Sequence, residues 1–200
     1  EKLKVPVVCS LQDEDVWVEA MDRDSRNKVW ELMSRKAACV DVFIAVSDHF
    51  SGLMEDRMNL PQEKIERLHL GVDPADYAFQ NTSTKPMNIG FLSRMCYDNG
   101  LDILVDAFLL LKQKEGFEDV NLVLTGGSTG DDKKFLSDIR HRIKEQGLQN
   151  QVEFHEDFEE QGLRDYFEKV SVVSVPVRNG EAFGIYLLEC MTSGIPVVQP

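Results

Sequence analysis

The sequence lacks any long apolar run. No stretch approaches the roughly 18 to 20 consecutive apolar residues that a membrane-spanning helix needs. The first fifteen residues, EKLKVPVVCSLQDED, also hold too short an apolar run for a secretory signal peptide. These absences exclude the common membrane-protein classes, and we expect a cytoplasmic protein without a transmembrane segment.

Cysteine and histidine are scarce, with four residues of each type in 200. The cysteines are far apart and show no Cys-x-x-Cys spacing, which is typical of free thiols in a reducing compartment. Sequence does not place them in space, so a disulfide stays open. The histidines lack the spacing of zinc ligands, and we expect no metal site.

Basic residues are also few, with 22 lysines and arginines against 35 acidic residues and a net charge of -13. No basic cluster with interleaved aromatic residues is present, so nucleic acid is not expected as a partner. The glycine-rich run 126–130 lacks the Lys-Ser/Thr ending of a P-loop. NTPase chemistry therefore has no sequence support.

What the sequence does contain is an alternation of short, β-branched apolar runs with longer segments of helical period. This pattern predicts an α/β fold with a doubly wound, mostly parallel sheet. The predicted strands are residues 5–9, 42–46, 65–70, 88–92, 121–125, 151–154, 171–176 and 195–198. The predicted helices are residues 15–38, 48–57, 99–114, 131–146, 161–170 and 183–193.

A segment with two prolines and clustered polar residues, 73–87, predicts a linker. We place a domain boundary near Gln80. Residues 1–80 hold three predicted strands and form a partial N-terminal α/β segment, whereas residues 81–200 hold five and form a second α/β domain that is truncated at its C-terminal end.

The richest candidate site is the segment 178–200, where a strand end, a tight turn and a helix follow one another. At such a junction the helix N-terminus offers free N–H groups and suits phosphate. Glu181 precedes this helix and Glu189 lies inside it. From spacing alone, either the two carboxylates bind hydroxyls of one extended ligand, or Glu181 complements the helix dipole and Glu189 is an ordinary surface residue.

Several motifs occur together in a fixed order. They are Leu68-His69-Leu70-Gly71-Val72-Asp73, Gly90-Phe91-Leu92-Ser93-Arg94 with Asn99-Gly100-Leu101-Asp102, Leu124-Thr125-Gly126-Gly127, Glu181-x7-Glu189, and Gly194-Ile195-Pro196-Val197-Val198. In this order they resemble the retaining glycosyltransferases of family 4 (group 1), which have GT-B architecture. The resemblance implies a Rossmann-like donor domain in residues 81–200 and the end of an acceptor domain before it.

The resemblance also implies roles for individual residues. Arg94 and Glu181 are the implied catalytic residues, with Arg94 on the donor diphosphate and Glu181 on hydroxyls of the transferred sugar. Glu189 accepts hydrogen bonds from the ribose. The implied donor-binding set is completed by backbone groups of Gly126, Gly127, Phe183, Gly184 and Ile185.

Some positions depart from the family pattern. Asn99 stands where the family usually has a phosphate-binding lysine, and Ser93 replaces the usual glycine before Arg94. Lys85 or Arg178 is a candidate replacement for the missing cation. No histidine precedes His49, so no catalytic base is assigned.

We therefore expect part of a metal-independent hexosyltransferase that moves a sugar from a nucleotide-diphosphate sugar to an acceptor hydroxyl with retention, without a cofactor. The expected partners are the nucleotide sugar, the acceptor and the remainder of a longer chain, and the fragment alone is not required to be active. Two alternatives stay open: a non-catalytic sugar-nucleotide-binding or interaction module, and an epimerase or phosphorylase of the same architecture.

Overall fold

The computed structural model describes residues 5–80, 87–155 and 160–199. Its contacts divide the chain into two compact units. Unit 1 consists of residues 1–71 together with 181–184, and unit 2 of residues 72–180 together with 185–200. The assignment of residues 1–80 to an acceptor-side segment and of 81–200 to a donor domain stays a prediction.

Unit 1 is built on a parallel sheet of three strands in the order β1-β2-β3. Its strands are β1 (Val8–Leu11), β2 (Val42–Ala45) and β3 (Ile65–Arg67). Its helices are α1 (Glu14–Glu19), α2 (Arg23–Ala37) and α3 (Asp48–Met58). Phe43 of β2 packs with Trp30 of α2 and with Phe50 and Met54 of α3, so one apolar core joins the sheet to its helices.

The prediction of a single helix over residues 15–38 was wrong, because the chain turns at Asp22. The Asp22 carboxylate accepts hydrogen bonds from the backbone N–H groups of Asp24 and Ser25, both at 3.1 Å. This is the N-cap arrangement that satisfies the free donors of a new helix, and α2 begins directly after it. The first strand was also placed too early, since β1 covers Val8–Leu11 rather than residues 5–9.

Unit 2 has a four-stranded parallel sheet in the order β6-β5-β4-β7. Its strands are β4 (Asn88–Leu92), β5 (Asn121–Thr125), β6 (Val152–His155) and β7 (Val172–Val173). Its helices are α4 (Leu101–Leu111), α5 (Lys133–Glu145), α6 (Glu160–Lys169) and α7 (Ile185–Thr192). The α/β fold class with parallel sheets is confirmed.

Two predicted elements at the C-terminal end are shorter than expected. β7 has two residues instead of the six of the predicted strand 171–176, and the predicted strand 195–198 is reduced to one parallel bridge between Val173 and Val197. After β7 the chain continues through Val175 and Pro176, which are buried. The apolar character of residues 171–176 therefore reflects packing in the core more than strand pairing.

All four cysteines are free thiols.

In the described ranges, no helix combines the length and the apolar character that crossing a lipid bilayer requires.

Candidate functional site

The strand order of unit 2 locates its candidate site. From β4 the chain adds β5 and β6 on one side and then returns to add β7 on the other side of β4. In open α/β sheets, ligands bind outside the carboxyl ends of the strands where the order reverses in this way. Ser93 and Arg94 follow β4 at that end of the sheet, and Gly126 and Gly127 follow the adjacent β5.

The loops after β4 and β5 are hydrogen-bonded to each other. Ser93 N donates to Thr125 O at 3.2 Å, and Met95 N donates to Gly127 O at 2.9 Å. Gly126 has a φ of 122°, and a Cβ at this position would lie 2.1 Å from the Ser93 carbonyl oxygen. The two loops therefore approach as closely as they do only because residue 126 has no side chain.

Arg94 is held by a partner that the sequence analysis missed. Its Nε and Nη2 atoms donate to the two carboxylate oxygens of Asp132, each at 3.0 Å, and Nη2 also donates to Thr129 Oγ1 at 3.1 Å. Although burial raises it, the pKa of Asp132 lies below its usual value because Arg94 and Thr129 donate hydrogen bonds to its carboxylate. The Thr129-x-x-Asp132 spacing, which forms a capping box, was the available sequence signal.

The ion pair with Asp132 partly neutralises the positive charge of Arg94. Two N–H groups of the Arg94 guanidinium are bonded to the Asp132 carboxylate, so a phosphate that bound here would share this cation with the aspartate. The contact of Arg94 with a donor diphosphate stays a prediction.

Asn99 braces the loop after β4. Its Nδ2 donates to Ser93 Oγ at 2.8 Å and to the Arg94 carbonyl oxygen at 3.1 Å. The side chain at the position of the expected lysine is therefore an uncharged amide that fixes the conformation of the loop carrying Arg94.

Lys85 and Arg178 were the candidate replacements for the lysine expected at position 99. Lys85 lies outside the described residues. Arg178 donates from Nη1 and Nη2 to the Asp102 carboxylate at 2.8 and 2.7 Å, and its guanidinium stacks 3.7 Å above the centre of the Tyr97 ring. It also donates to the Tyr97 carbonyl oxygen. Arg178 thus fastens the loop after β7 to the start of α4.

Glu189 lies in α7, where its Oε1 accepts a hydrogen bond from the Tyr77 hydroxyl at 3.1 Å. Burial raises the pKa of Glu189, and the Tyr77 hydrogen bond counteracts this effect. Burial and the adjacent Glu189 raise the pKa of Tyr77 to about 12, so the phenol keeps its proton at neutral pH. The sequence analysis assigned Tyr77 to a linker and gave it no role.

Glu181 belongs to unit 1 together with the three residues that follow it. The Ser47 hydroxyl donates to the Ala182 carbonyl oxygen at 2.6 Å, and the Phe183 ring stacks against His69 with the ring centres 6.0 Å apart. Burial raises the pKa of Glu181 to about 7, with a further contribution from the charges of Asp13 and Asp15. This carboxyl group is therefore near half protonation at neutral pH.

The start of α7 differs from the prediction. The helix begins at Ile185 rather than at residue 183, because Gly184 adopts a φ of 75° outside the helical region. Of the three predicted backbone donors, Ile185 lies in the first turn, while Phe183 and Gly184 precede the helix.

A cleft of about 620 Å³ also lies in unit 2. The residues that line it come from the 3-10 turn Pro74–Asp76 and the segment after it, from α6 and from the residue after α7; they are Ala75, Asp76, Tyr77, Ala78, Gln80, Leu163, Arg164, Phe167, Glu168 and Ser193. None of these was predicted as a site residue. Across the described parts of the chain, no group of three or more His, Cys, Asp or Glu side chains is arranged to hold a metal ion.

Residues 86–199 match the family model of glycosyl transferases group 1, which is more than half of the chain. The chain belongs to the glycosyl transferases group 1 family. The match includes the loops after β4 and β5, both glutamates of the Glu181-x7-Glu189 motif and the segment Gly194–Val198, whereas the motif at residues 68–73 lies outside it.

Curated relatives extend the similarity toward the N-terminus. The lipopolysaccharide core biosynthesis mannosyltransferase LpsB of Rhizobium meliloti is 29% identical over 165 residues, which cover 82% of this chain and 42% of LpsB. Mannosylfructose-phosphate synthase of Agrobacterium fabrum is 25% identical over 170 residues, covering 79% of this chain and 37% of the synthase. The chain thus spans less than half the length of these relatives.

Solved structures with similar folds cover nearly the whole chain. Anabaena HepE in complex with UDP and glucose aligns with a TM-score of 0.78 at 20% identity, over 97% of this chain and 52% of HepE. Sucrose-phosphate synthase from Thermosynechococcus elongatus aligns with a TM-score of 0.75 at 18% identity, over 96% of this chain and 49% of the synthase. These alignments match the fold to the Rossmann-like architecture of GT-B glycosyltransferases.

Proposed function

We propose that the chain is the nucleotide-sugar-binding part of a retaining, metal-independent hexosyltransferase of family 4. The whole protein transfers a hexosyl group from a nucleotide-diphosphate sugar to a hydroxyl of an acceptor. The nucleotide sugar is the substrate, and no cofactor takes part. Because the chain spans less than half the length of its relatives, we assign donor binding to this chain and transfer to the whole protein.

One observation carries this proposal. The family match contains the strand ends after β4 and β5 together with Glu181 and Glu189, which flank the start of α7. Both glutamates are partly buried with raised pKa values, so their carboxyl groups are partly withdrawn from water. Partly desolvated carboxyl groups suit hydroxyls of a ligand, and the start of a helix suits phosphate, which are the groups that a nucleotide sugar combines.

The proposed roles follow from the chemistry of each group. The Glu189 carboxylate accepts hydrogen bonds from the ribose hydroxyls, since an ionised carboxylate is an acceptor only. Glu181, near half protonation at neutral pH, both accepts from and donates to hydroxyls of the transferred sugar. Gly126 and Gly127 leave the β5 loop without side chains beside the ligand.

Charge stabilisation drives the proposed reaction. The bond between the sugar C1 and the diphosphate oxygen breaks, C1 forms a new bond to the acceptor oxygen, and the acceptor hydroxyl gives its proton to the departing diphosphate. Negative charge then accumulates on the departing diphosphate, where the Arg94 guanidinium and the N–H groups at the start of α7 stabilise it.

Calorimetric titration of the chain with UDP, GDP, ADP and their glucose conjugates at low salt tests the proposal. We expect one nucleotide to bind, and Glu189→Ala to abolish that binding while circular dichroism stays unchanged. Glu145→Ala is the matched control, because Glu145 is an exposed glutamate at the end of α5. Unchanged nucleotide binding by Glu189→Ala contradicts the assigned site.

A second candidate is a sugar-nucleotide-binding module without catalysis. It is favoured by the charges after β4 and β7, where Arg94 and Arg178 are each paired with an aspartate and Asn99 is neutral. Such a site stabilises a departing diphosphate less than a site with unshared cations. Nucleotide release in the presence of sugar acceptors, measured on the whole protein, distinguishes the two: release supports transfer, and binding without release supports the module.

A further inference from the structure

Tyr77 and Glu189 are 112 residues apart in sequence, and the hydrogen bond from the Tyr77 hydroxyl to Glu189 Oε1 joins the linker segment to α7. Tyr77 directly follows the 3-10 turn Pro74–Asp76. In this turn the Asp73 carboxylate accepts from Ala75 N at 2.9 Å, which fixes the direction in which the chain enters Tyr77.

The Tyr77 ring is fixed on the α6 side as well. It packs edge-on against Phe167, with the ring centres 6.1 Å apart, and Phe167 packs edge-on against Tyr166 at 5.4 Å. Such pairs restrict the rings to a narrow range of orientations.

The segment after Tyr77 contacts the residues that directly follow α7. Gln80 N donates to the Ser193 carbonyl oxygen at 2.8 Å. The Phe79 ring occupies the place of a side chain at Gly194, where a Cβ would lie 2.5 Å from a ring carbon. Tyr77 thus contacts α7, and Phe79 and Gln80 contact the residues just after it, so the Tyr77 hydroxyl has a fixed position relative to Glu189.

Several titratable groups face the Glu189 carboxylate. Tyr77 comes from the linker segment, Tyr166 from α6, and Cys190 from α7 itself. The Tyr166 hydroxyl is fully buried and, among the described residues, has no hydrogen-bond partner. Tyr77 is therefore the group on these elements that donates to Glu189.

We propose that Tyr77 is a positioning residue for the donor site: its hydroxyl holds the Glu189 carboxylate in one orientation and in its charged form, ready to accept hydrogen bonds from the donor's ribose. This inference rests on the proposed function, because it takes Glu189 as the ribose acceptor. One lone pair of Oε1 is used by Tyr77, so the second lone pair and Oε2 are the acceptors that a ribose diol uses.

The charged form needs this support because the carboxylate is partly buried. Burial raises the pKa of Glu189, and the hydrogen bond from Tyr77 lowers it. A protonated carboxyl group accepts hydrogen bonds from hydroxyls more weakly than a carboxylate does. Removing the Tyr77 hydroxyl therefore raises the Glu189 pKa and weakens ribose binding, most strongly at the acidic end of the pH range.

The test compares Tyr77→Phe with Tyr166→Phe. Each variant removes one phenolic oxygen near Glu189 and keeps the ring, but only the first removes a hydrogen bond to the carboxylate. We expect Tyr77→Phe to raise the dissociation constant of the bound nucleotide about three- to tenfold and to shift the acidic limb of its binding profile to higher pH. Tyr166→Phe is expected to leave that profile unchanged.

A second readout does not depend on binding. In the chain labelled with ¹³C at glutamate carboxyl groups, NMR titration follows the Glu189 signal, which is assigned by its absence in Glu189→Gln. We expect its titration midpoint to move to higher pH in Tyr77→Phe. In the Glu189→Gln background, which lacks this titrating group, Tyr77→Phe should leave the titration midpoints of the other glutamate signals unchanged, which separates an effect on Glu189 from a general loss of structure.

The outcomes separate the two proposals. If nucleotide binds and Tyr77→Phe changes neither the titration midpoint nor the pH profile, the positioning role is wrong while the proposed function stands. If no nucleotide binds to the chain, its assigned donor-binding function fails. The NMR titration then decides alone whether Tyr77 holds Glu189 in its charged form: a shift supports this, and an unchanged midpoint refutes it.

Discussion

Asn99 Nδ2 donates a hydrogen bond to Ser93 Oγ at 2.8 Å, and these two residues occupy positions at which the chain departs from the family pattern. The resemblance places a lysine at 99 and a glycine at 93. The serine supplies an acceptor that a glycine lacks, and the asparagine supplies a donor that is short enough to reach it. The two departures are thus partners in one contact. It braces the loop after β4 at the position where the resemblance implies a cation.

The first prediction follows from this exchange. Asn99→Lys adds a cation where the family has one, and we expect about a three- to tenfold lower dissociation constant for nucleoside diphosphates, with the gain decreasing as salt increases. The variant also loses the bonds to Ser93 and Arg94, which costs about 1 kcal/mol of stability. Calorimetry at low and high salt measures the first effect and urea unfolding the second.

Asn99→Met is the control for this change, because it removes the same hydrogen bonds and fills similar space without charge. Equal nucleotide affinity of the methionine and lysine variants would show that position 99 does not approach the phosphates.

The second prediction concerns the ion pair between Arg94 and Asp132. Asp132 is 6% exposed, and Asp132→Asn leaves a partly buried guanidinium without its counter-charge, so we expect a loss of about 2 kcal/mol at pH 7. The pKa of Asp132 is lowered in the folded protein, so its carboxylate stabilises the fold above the unfolded value of 3.8, and this stability is lost as the pH falls through the folded value.

The difference between wild type and Asp132→Asn should therefore shrink below about pH 4. Urea unfolding at pH 7 and pH 3 measures it. A difference that is the same at both pH values would mean that the aspartate contributes by its shape and not by its charge.

The third prediction concerns the close approach of the loops after β4 and β5. Gly126→Ala places a Cβ 2.1 Å from the Ser93 carbonyl oxygen at a φ of 122°, so we expect a loss of about 2 to 4 kcal/mol. Gly130→Ala is the matched control, because a Cβ there meets no atom within 4 Å. Thermal unfolding of both variants provides the comparison, and similar stability of the two would contradict the close contact between Gly126 and Ser93.

How well the sequence predicts an element of this fold depends on how many residues carry the pattern that indicates it. β4 and β5 were predicted with the bounds that the structure has, because each is a short, largely buried apolar run that begins at an asparagine. The break at Asp22 was missed because the apolar period of Trp17, Met21, Trp30 and Met33 continues through it. An N-cap depends on a single side chain, so the periodicity of the apolar residues does not reveal it.

The candidate site likewise has some residues that the sequence predicts and others that only the structure reveals. The positions of Arg94, Gly126 and Glu189 follow from motifs at strand ends and in a helix, and these are local features. Their partners Asp132 and Tyr77 lie 38 and 112 residues away in sequence, and only the packing of the chain brings them into contact. The roles of these residues toward a ligand stay predictions.

The last prediction concerns Glu181, whose folded pKa of about 7 is raised from 4.5 by burial and by Asp13 and Asp15. Between pH 4.5 and 7 the folded state binds more protons at this group than the unfolded state, so the group's contribution to stability falls as the pH rises through this window. Glu181→Gln removes the charge and keeps the shape. We expect it to be about as stable as wild type at pH 5 and about 2 kcal/mol more stable at pH 8.

Urea unfolding at pH 5 and pH 8 tests this, with Glu31→Gln, an exposed glutamate of α2, as a control that changes stability by less than about 0.5 kcal/mol. The same Glu181→Gln variant should lose sugar transfer in the whole protein, because the amide lacks the proton equilibrium of the carboxyl group. A gain in stability together with a loss of activity is typical of a residue that is retained for function at a cost to the fold. Equal stability of Glu181→Gln and wild type at pH 8 would instead mean that water reaches the carboxylate in the folded protein.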